Sequence, residues 1–538
     1  MNHKTLTEAH KNRYIKAQQK VAELLGDSDR SFLNYKKQYE KELKSYKKLR
    51  PVASESFIQQ IQSADLIMVG DFHSEAQSVR SLLRICRSLD SNSIVLGLEC
   101  LSVEMQKYID AYLMGDLSEN KFLHHIKWSE RWGFPFKLYR PLFRWAIDNK
   151  VSVYGVNYSS PSLKLRDQKM ARLIHQLQKK NPHKRFVLQI GDYHLASKHL
   201  PLQIKKVNPR LRQQVVFQSP DEVYFNWIRR NKHKDHVDFL KLGKNKWCVF
   251  SVLPWIKWEN YLINLEQSIE NSSYDLEDPS ESLDLMDYLN QHIEFLTEVF
   301  KIPVNLSEYE VVQTKDALRK KVKKLSLPLA KAHTEKMALD QVVFVPELKL
   351  GFVSGNTANH LGQMAAYLFL HKKGLLKKTL HLGKDHFLQN IWIEMLVYFL
   401  TKLSNPKRKT ATLFDVRSFL KDEYFAEHGK EVLNIALEQK LNEMRFLEKA
   451  QKSLIKNSTL YRKHRSHKNM FLASQILGRM LGEKVYFALS KKMISGSDLE
   501  RFLFQVELNS VHFPIKYYES IEIIDSWPIS FKSKFDRF

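Results

Sequence analysis

The stretch "DLIMVGDFH", residues 65–73, decides the fold class of this chain. An apolar run without polar alternation is typical of a strand that is covered on both faces, as in a parallel sheet between helices. The run stops at Gly70, and a carboxylate, an aromatic ring and an imidazole follow it. The same order of residues returns in "RFVLQIGDYH", residues 185–194. Two predicted buried strands therefore end in one shared phrase, Gly-Asp-aromatic-His.

Further apolar runs of the same kind alternate with helical patterns such as "EAQSVRSLLRICRSL" and "QKMARLIHQLQKK". Strand, helix and strand in repetition predict an α/β fold, with a mostly parallel sheet of about six strands sandwiched by helices. The candidate strands are residues 65–70, 93–99, 151–157, 185–191, 214–218 and 247–253.

The 538 residues are more than one ordinary domain needs, and two or three domains are expected. The segment "NSSYDLEDPSESLD", residues 271–284, is acidic, polar and interrupted by a proline, which is typical of a linker. Helical periodicity dominates after it, and strand candidates such as "QVVFVPEL" and "LGFVSG" are few. The predicted organisation is an N-terminal helical extension over 1–54, an α/β domain over 55–265, an acidic linker over 266–284 and a mainly α-helical C-terminal domain over 285–538.

The net charge of +26 favours an anionic partner, such as nucleic acid, an anionic lipid or a small anion. The sequence contains no zinc finger, base-stacking motif or recognition-helix signature, so no specific nucleic-acid motif is predicted. One hypothesis is therefore a non-catalytic scaffold that binds anions through its surface charge. A steep salt dependence of nucleic-acid binding would favour it.

Several features suggest a cytoplasmic protein. The first 20 residues contain no apolar segment typical of a signal peptide and no lipid-anchor cysteine. The most apolar run, "IWIEMLVYFL" at 391–400, is half the roughly 20 residues that a spanning helix needs, and Glu394 interrupts it. No transmembrane segment is therefore expected. The three cysteines form no disulfide or metal framework, which suits a reducing compartment.

Three predicted strands end in chemically active side chains. His73 and His194 follow two of them, and Glu99 ends the strand over 93–99. In a parallel α/β sheet the carboxyl ends of the strands form one edge, where ligands bind. We therefore expect His73, Glu99 and His194 to converge in one cleft. The glycines that precede the histidine motifs, Gly70 and Gly191, allow the backbone to turn or to approach a ligand closely.

Imidazole and carboxylate groups together suit a transition metal or general acid–base chemistry. More ordinary roles compete with this interpretation. Asp71 is also placed to cap the following helix, and Glu99 is placed to cap the helix after its strand. The doubled motif favours a joint site, with Glu99, His73 and His194 as the catalytic candidates. The candidate metal ligands are His73, His194, Glu99, Asp71 and Asp192.

Two Gly-x-x-His motifs separated by a strand-end glutamate resemble the superfamily that joins erythromycin esterases, Tiki and TraB/PrgY proteins and ChaN-type haem-binding proteins. The ChaN branch is the most similar, over residues 55–265. Its first motif usually reads Gly-Glu-x-His, whereas this chain has Asp71 at the second position. The other stretches that carry the resemblance are Gly97, Glu99 and Gln106 in "GLEC…Q", "WSERWGFPFKLYRPLFRWAIDNKVSVYGVN" at 128–157, "LRDQKMARLI" at 165–174 and "QIGDYHLASKHLP" at 189–201.

The ChaN resemblance implies a protein that binds haem or iron as a small-molecule ligand. Haem needs an axial His or Tyr and an aromatic-lined slot, and the aromatic segment 122–145 could form that slot or simply a lid packed on the sheet. The candidate haem contacts are His73, His194, Tyr193, His124, His125, Gly70 and Gly191.

The Tiki and esterase branches imply an alternative, a metal-dependent hydrolase. In it His73 and His194 would hold a divalent transition metal, and Glu99 would act as general base on a water molecule. The sequence contains neither a Gly-x-Ser-x-Gly elbow nor a His-Glu-x-x-His motif, so neither a serine hydrolase nor a common type of zinc protease is supported.

Overall fold

The structure is a computed structural model in which the chain forms two compact units. One comprises residues 16–273, and the other comprises residues 1–15 together with 274–536. The structure describes residues 3–26, 30–73, 75–160, 162–230, 237–273, 285–355, 357–423, 425–449 and 465–536. The last helix of the first unit continues to Ser273, past the start of the predicted linker at residue 266. The remainder of that linker, 274–284, lies outside the described residues.

An eight-stranded sheet forms the centre of the first unit, in the order β1-β7-β8-β6-β2-β5-β3-β4. The six predicted strands are all present, and their neighbours pair in parallel. The α/β class predicted from the apolar runs is therefore confirmed. The strands are β1 (Arg50–Pro51), β2 (Leu66–Asp71), β3 (Ile94–Ser102), β4 (Val153–Asn157), β5 (Arg185–Gly191), β6 (Gln213–Gln218), β7 (Phe239–Gly243) and β8 (Lys246–Val249).

Two strands that the sequence analysis did not predict, β1 and β7, extend one side of the sheet by antiparallel pairing. β1 has only two residues, and a proline in it is tolerated because this strand lies at the edge of the sheet. β7 is too short, and too interrupted by Lys241 and Gly243, to be recognised as an apolar run. The sheet is therefore mixed rather than wholly parallel.

Helices cover the sheet, and α4 (Ala76–Arg87) shows why. Its apolar residues Val79, Leu82, Leu83 and Cys86 recur at helical spacing and are all buried. Glu75, the residue before this helix, caps its N-terminus, because the Glu75 side chain accepts a hydrogen bond from the Gln77 N–H at 2.9 Å. The first-unit helices are α1 (His3–Leu25, which begins in the other unit), α2 (Arg30–Ser45), α3 (Ser54–Gln62), α4 (Ala76–Arg87), α5 (Gln106–Met114), α6 (Glu119–His125), α7 (Trp128–Arg131), α8 (Arg140–Asp148), α9 (Leu163–Lys180), α10 (Leu200–Val207), α11 (Asp221–Arg230) and α12 (Pro254–Ser273).

Neither Asp71 nor Glu99 caps a helix, although the sequence suggested that role for both. Glu75, rather than Asp71, caps α4. Glu99 lies inside β3, which continues to Ser102 before the chain turns towards α5. Both carboxylates are thus free of helix capping and face other partners.

The second unit is mainly helical, as predicted, with a small three-stranded sheet of order β10-β11-β9. The run "IWIEMLVYFL" lies in a buried helix, and no helix in the described part of the chain is long and apolar enough to cross a membrane. The elements are α13 (Leu285–Phe300), β9 (Glu310–Val312), α14 (Lys315–Val322), α15 (Leu327–Leu339), β10 (Val342–Val345), β11 (Leu350–Val353), α16 (Ala358–Lys372), α17 (Phe387–Ser404), α18 (Leu413–Lys421), α19 (Glu427–Lys449), α20 (His467–Ser490), α21 (Gly496–Phe504) and α22 (Phe513–Ser526).

Candidate functional site

The register of the sheet places the two histidine motifs side by side. β2 pairs with β5 so that Asp71 stands opposite Gly191. β3 lies on the other side of β5, and its Leu98 stands opposite Gln189. The residue after Leu98 is Glu99, so Glu99 reaches the level of the ends of β2 and β5 at the carboxyl edge of the sheet.

Gly191 is the point at which these groups meet. Its backbone N–H donates to Glu99 Oε2 at 2.5 Å. A Cβ atom added at Gly191 would lie 3.3 Å from Glu99 Oε2 and 3.3 Å from His73 Nε2. Glu99 Oε2 and His73 Nε2 therefore lie no further apart than twice 3.3 Å. Any larger residue at 191 would fill the space between the glutamate and the imidazole, which explains the glycine at this position.

His73 is the accessible imidazole of the site. Its Nδ1 lies 3.0 Å from Asp71 Oδ2, and its side chain is 32% exposed. Tyr139 donates from its hydroxyl to the same Asp71 oxygen at 3.2 Å, which helps to hold the carboxylate in place. Burial lowers the pKa of His73, but the hydrogen bond and charge of Asp71 outweigh it, so the pKa is raised. With Nδ1 hydrogen-bonded to a carboxylate, the neutral ring carries its lone pair on Nε2.

Aromatic rings flank His73. The ring centroid of Trp132 lies 4.6 Å from that of His73 with an edge-on geometry, and that of Phe134 lies 5.7 Å away. Trp132 donates from its indole N–H to the Tyr139 hydroxyl at 3.1 Å. Other aromatic residues of the predicted slot, including Phe122 and Phe136, are buried in the core instead. The aromatic segment therefore divides between core packing and the surroundings of His73.

His194 occupies a very different environment. It is 4% exposed, its Nδ1 lies 2.5 Å from Asp167 Oδ1, and its Nε2 lies 3.4 Å from Glu99 Oε1. Burial opposes the charge on the imidazole, yet the two carboxylates raise the pKa of His194 to about 9. Burial likewise opposes the charge on Glu99, and the charge of His194 lowers the pKa of Glu99 to about 2. At neutral pH this is a buried imidazolium between two carboxylates.

Two partners of His194 were missed by the sequence analysis. Asp167 on α9 pairs with its Nδ1, and the Tyr35 hydroxyl on α2 donates to the other oxygen of Asp167. Asp167 precedes the buried Met170 and Ala171 by three and four residues, so a carboxylate on the apolar face of a helix was the available signal. Tyr35 gave no such signal, because only the tertiary fold brings α2 to the strand ends.

Asp192 and Tyr193 lie next to His194 but do not face its partners. Asp192 Oδ1 is buried without a hydrogen-bond partner in the described residues, and a Cβ atom on Gly70 would overlap it. Burial, opposed by the charge of Lys257, raises the pKa of Asp192 to about 7. Tyr193 packs edge-on against Tyr39, with ring centroids 5.2 Å apart. Asp192 is thus a carboxyl group that is only partly ionised at neutral pH.

His124 and His125 are exposed on α6. The ring of His125 stacks on Tyr108 at 4.7 Å between centroids, and the ring of His124 lies 6.0 Å from that of His125. No ring contact joins either residue to His73 or His194 among the residues that the structure describes. The structure does not bring these two predicted haem contacts to the strand ends.

The predicted metal ligands do not form a coordination shell in this structure. Within the described ranges, no group of three or more His, Cys, Asp or Glu side chains is arranged to hold a metal ion. Both ring nitrogens of His194 face carboxylates at close range, whereas His73 has a carboxylate partner in the described residues at Nδ1 alone. The chemistry that the site offers is therefore a single imidazole donor beside aromatic rings.

Comparison with known proteins supports the resemblance. The family model described as "Haem-binding uptake, Tiki superfamily, ChaN" matches residues 57–165. The ChaN resemblance predicted from the motifs is confirmed. The ChaN-like segment contains His73, Glu99 and Trp132, and it ends just before Asp167.

Among solved structures, a match described as "Cofacial heme binding to ChaN of Campylobacter jejuni" is 19% identical, with a TM-score of 0.26. It covers 32% of this chain and 88% of that chain. No curated protein sequence matches the chain.

Proposed function

We propose that the α/β unit of this protein binds haem, with His73 as the axial ligand. The observation that carries the proposal is the state of the His73 ring. Its Nδ1 faces Asp71, its side chain is 32% exposed, and Trp132 and Phe134 flank it. A histidine that binds haem needs a free ring nitrogen and apolar surface beside it, and these residues offer both.

The carboxylate behind His73 is suited to a ligating role. A histidine that binds a metal commonly hydrogen-bonds through its other nitrogen to a carboxylate, which fixes the ring and makes it more basic. Asp71 supplies that group, and Tyr139 holds the carboxylate. The match of residues 57–165 to a haem-binding family model gives independent support, since His73, Asp71 and Tyr139 all lie within it.

His194 and Glu99 serve a structural role in this proposal. Both ring nitrogens of His194 are engaged, Nδ1 with Asp167 and Nε2 with Glu99, so neither is free to bind iron. Glu99 forms an ion pair with His194 and accepts a hydrogen bond from the backbone N–H of Gly191. The pair therefore holds the carboxyl ends of β3 and β5 together beside His73.

The hydrolase alternative has less support from the geometry. A general base is most effective when its pKa lies near the working pH. The pKa of Glu99 is lowered to about 2, and both of its oxygens face partners, His194 and the Gly191 N–H. A carboxylate in this state is a weak base towards water, so haem binding is the function that these residues favour.

Titration of the full chain with haem tests the proposal, followed by absorbance in the Soret region. We expect wild-type protein to give a saturable Soret shift. His73→Ala should weaken haem binding by at least about tenfold. Removal of a residue that merely hydrogen-bonds to a metal ligand already lowers metal affinity by about 10- to 100-fold, and here the ligand itself is removed. In His73→Gly, added imidazole should restore the wild-type spectrum by occupying the vacated position.

His125→Ala is the matched control, because His125 is an exposed histidine of the same unit that stacks on Tyr108 away from the strand ends. It should bind haem as wild type does. Wild-type protein that gives no saturable Soret shift, or a His73→Ala variant that binds like wild type, would exclude His73 as the ligand.

A further inference from the structure

A basic turn in the mainly helical unit presents a leucine to solvent. α14 ends at Val322 and α15 begins at Leu327, and the Leu327 side chain is 83% exposed. An exposed leucine is ordinary by itself, since a folded protein always leaves some apolar surface in water. The charges around Leu327 distinguish this turn from other exposed apolar positions.

The segment that contains the turn, "KDALRKKVKKLSLPLAK" at 315–331, has seven lysines and arginines and one aspartate. Two of these cations have a carboxylate partner: Arg319 pairs with Asp316 at 3.0 Å, and Lys321 pairs with Glu310 at 2.7 Å. The other five are exposed lysines that form no ion pair among the residues that the structure describes: Lys315, Lys320, Lys323, Lys324 and Lys331. Their positive charge is left for a partner from outside the chain.

The chain itself keeps three of these lysines close to Leu327. Lys323 and Lys324 precede it by four and three residues, and four residues of chain span at most about 14 Å. Lys331 follows Leu327 by four residues on α15, so these two side chains share one helix face. Three ammonium groups and one exposed apolar side chain therefore belong to the same small surface.

The opposite face of α14 is already covered. Leu318 and Val322 are buried in one apolar cluster with Val343 and Phe352 of the small sheet. This packing fixes α14 on the sheet and leaves its lysine-bearing face outward. Leu327 does not belong to that cluster, so its exposure is not explained by the core of this unit.

We propose that the turn between α14 and α15 binds the surface of an anionic lipid bilayer. The lysines would pair with headgroup charges, and Leu327 would insert at the boundary between headgroups and acyl chains. Nucleic acid would use the same lysines but would leave Leu327 in water. Single-stranded nucleic acid also stacks its bases on aromatic rings, and the segment 315–331 has none. The proposal concerns the helical unit alone and does not depend on haem binding.

Co-sedimentation of the full chain with lipid vesicles tests the proposal. We expect wild-type protein to bind vesicles made of equal parts of phosphatidylserine and phosphatidylcholine, and not vesicles of phosphatidylcholine alone. Lys323→Glu/Lys324→Glu should weaken binding by at least about tenfold, because each lysine near an anionic membrane contributes roughly a factor of five to the affinity. Leu327→Ser should weaken it by about tenfold, because the inserted apolar area is lost.

Two matched controls separate the turn from general surface effects. Lys205→Glu/Lys206→Glu makes the same change of charge at two exposed lysines of α10, and Val511→Ser changes an apolar side chain of the helical unit that is 87% exposed. Both should bind vesicles as wild type does. Circular dichroism and thermal unfolding establish that the variants are folded, and Lys320→Glu/Lys331→Glu is the second pair if the first unfolds.

Wild-type protein that shows no preference for phosphatidylserine vesicles would overturn the proposal. A folded lysine double variant, or Leu327→Ser, that binds these vesicles within twofold of wild type would also overturn it. Anisotropy titration with a labelled DNA oligonucleotide identifies the competing partner. DNA binding that needs the lysines but not Leu327, without vesicle binding, would assign the turn to nucleic acid instead.

Discussion

At the scale of single residues, the two histidines of the repeated motif differ because of the groups around them. His73 has one carboxylate at Nδ1 and remains partly exposed, so its other nitrogen is available to a ligand. His194 faces Asp167 and Glu99 and is buried. The same local sequence thus yields one partly exposed imidazole with a single carboxylate partner and one buried imidazole between two carboxylates.

The stability of the protein should report the charge on His194. Its pKa is raised to about 9 from an ordinary 6.5, so its contribution is fully present below pH 6.5 and is lost as the pH rises through about 9. We expect His194→Gln to lower the free energy of unfolding most near pH 6.5, with a difference from wild type that shrinks towards pH 9.5. Denaturant unfolding measured across this range checks it, and a difference independent of pH would contradict the ion-pair assignment.

Asp71 should matter for haem binding through His73. Asp71→Asn removes the charge that orients the imidazole and raises its basicity, and we expect haem affinity to fall by about 10- to 100-fold. Soret titration measures the change. Asp116→Asn, at an exposed aspartate of the same unit, is the control and should bind as wild type does. Unchanged affinity in Asp71→Asn would show that the carboxylate does not act through His73.

At the scale of elements, close packing depends on glycines where two backbones approach. α20 packs along α17, and a Cβ atom on Gly478 would lie 2.6 Å from the carbonyl oxygen of Ile391 and 2.6 Å from Glu394 Cβ. Neither atom can move without shifting the backbone of α17. The two helices can therefore pack this closely only because residue 478 has no side chain.

Substitution of Gly478 should destabilise the helical unit. Helix propensity alone favours alanine over glycine by about 1 kcal/mol. The steric clash in Gly478→Ala should outweigh it, and we expect a net loss of about 1–3 kcal/mol, typical of overpacking.

Gly362→Ala on α16 is the matched control, because its Cβ would meet its nearest atom, His292 Nδ1, at an ordinary 3.4 Å. It should be neutral or slightly stabilising. Chemical denaturation compares both variants with wild type, and equal stabilities would refute the close approach.

At the scale of the whole molecule, two compact units divide near residue 273. The acidic sequence 271–284 independently predicts a linker there. Residues 274–284 contain Glu277 and Glu281, so a glutamate-specific protease has two cleavage sites inside that stretch. The cytoplasmic location and the anionic partner suggested by the net charge remain predictions of the sequence.

Limited digestion of the native chain with that protease should cut first after Glu277 or Glu281. We expect two main fragments that persist, because ordered helices and sheets protect backbone from proteolysis while exposed linkers do not. Mass spectrometry of the early products identifies the cut. Denatured protein is the control and should be cut throughout, and a native chain first cut elsewhere would count against the linker.

The sequence by itself determined the sheet and the positions of its reactive groups. Unbroken apolar runs identify β2, β3, β5 and the other parallel strands because a strand buried on both faces carries mostly apolar residues. The Gly-x-x-His motifs follow the apolar runs of β2 and β5, and Glu99 lies within β3 near its carboxyl end, so the sequence places all three groups near one edge of the sheet. The edge strand β1 and its neighbour β7 escaped prediction because β1 has only two residues and β7 is a short run that Lys241 interrupts.

Only the tertiary structure decided what each of those groups does. Asp167 and Tyr35 come from helices distant in sequence from His194, and no local pattern states that α9 and α2 pack at the ends of β3 and β5. The pKa of an imidazole depends on charges within a few ångströms in space, whatever their separation along the chain. The difference between His73 and His194 is therefore a property of the fold, although the motif that contains each of them is a property of the sequence.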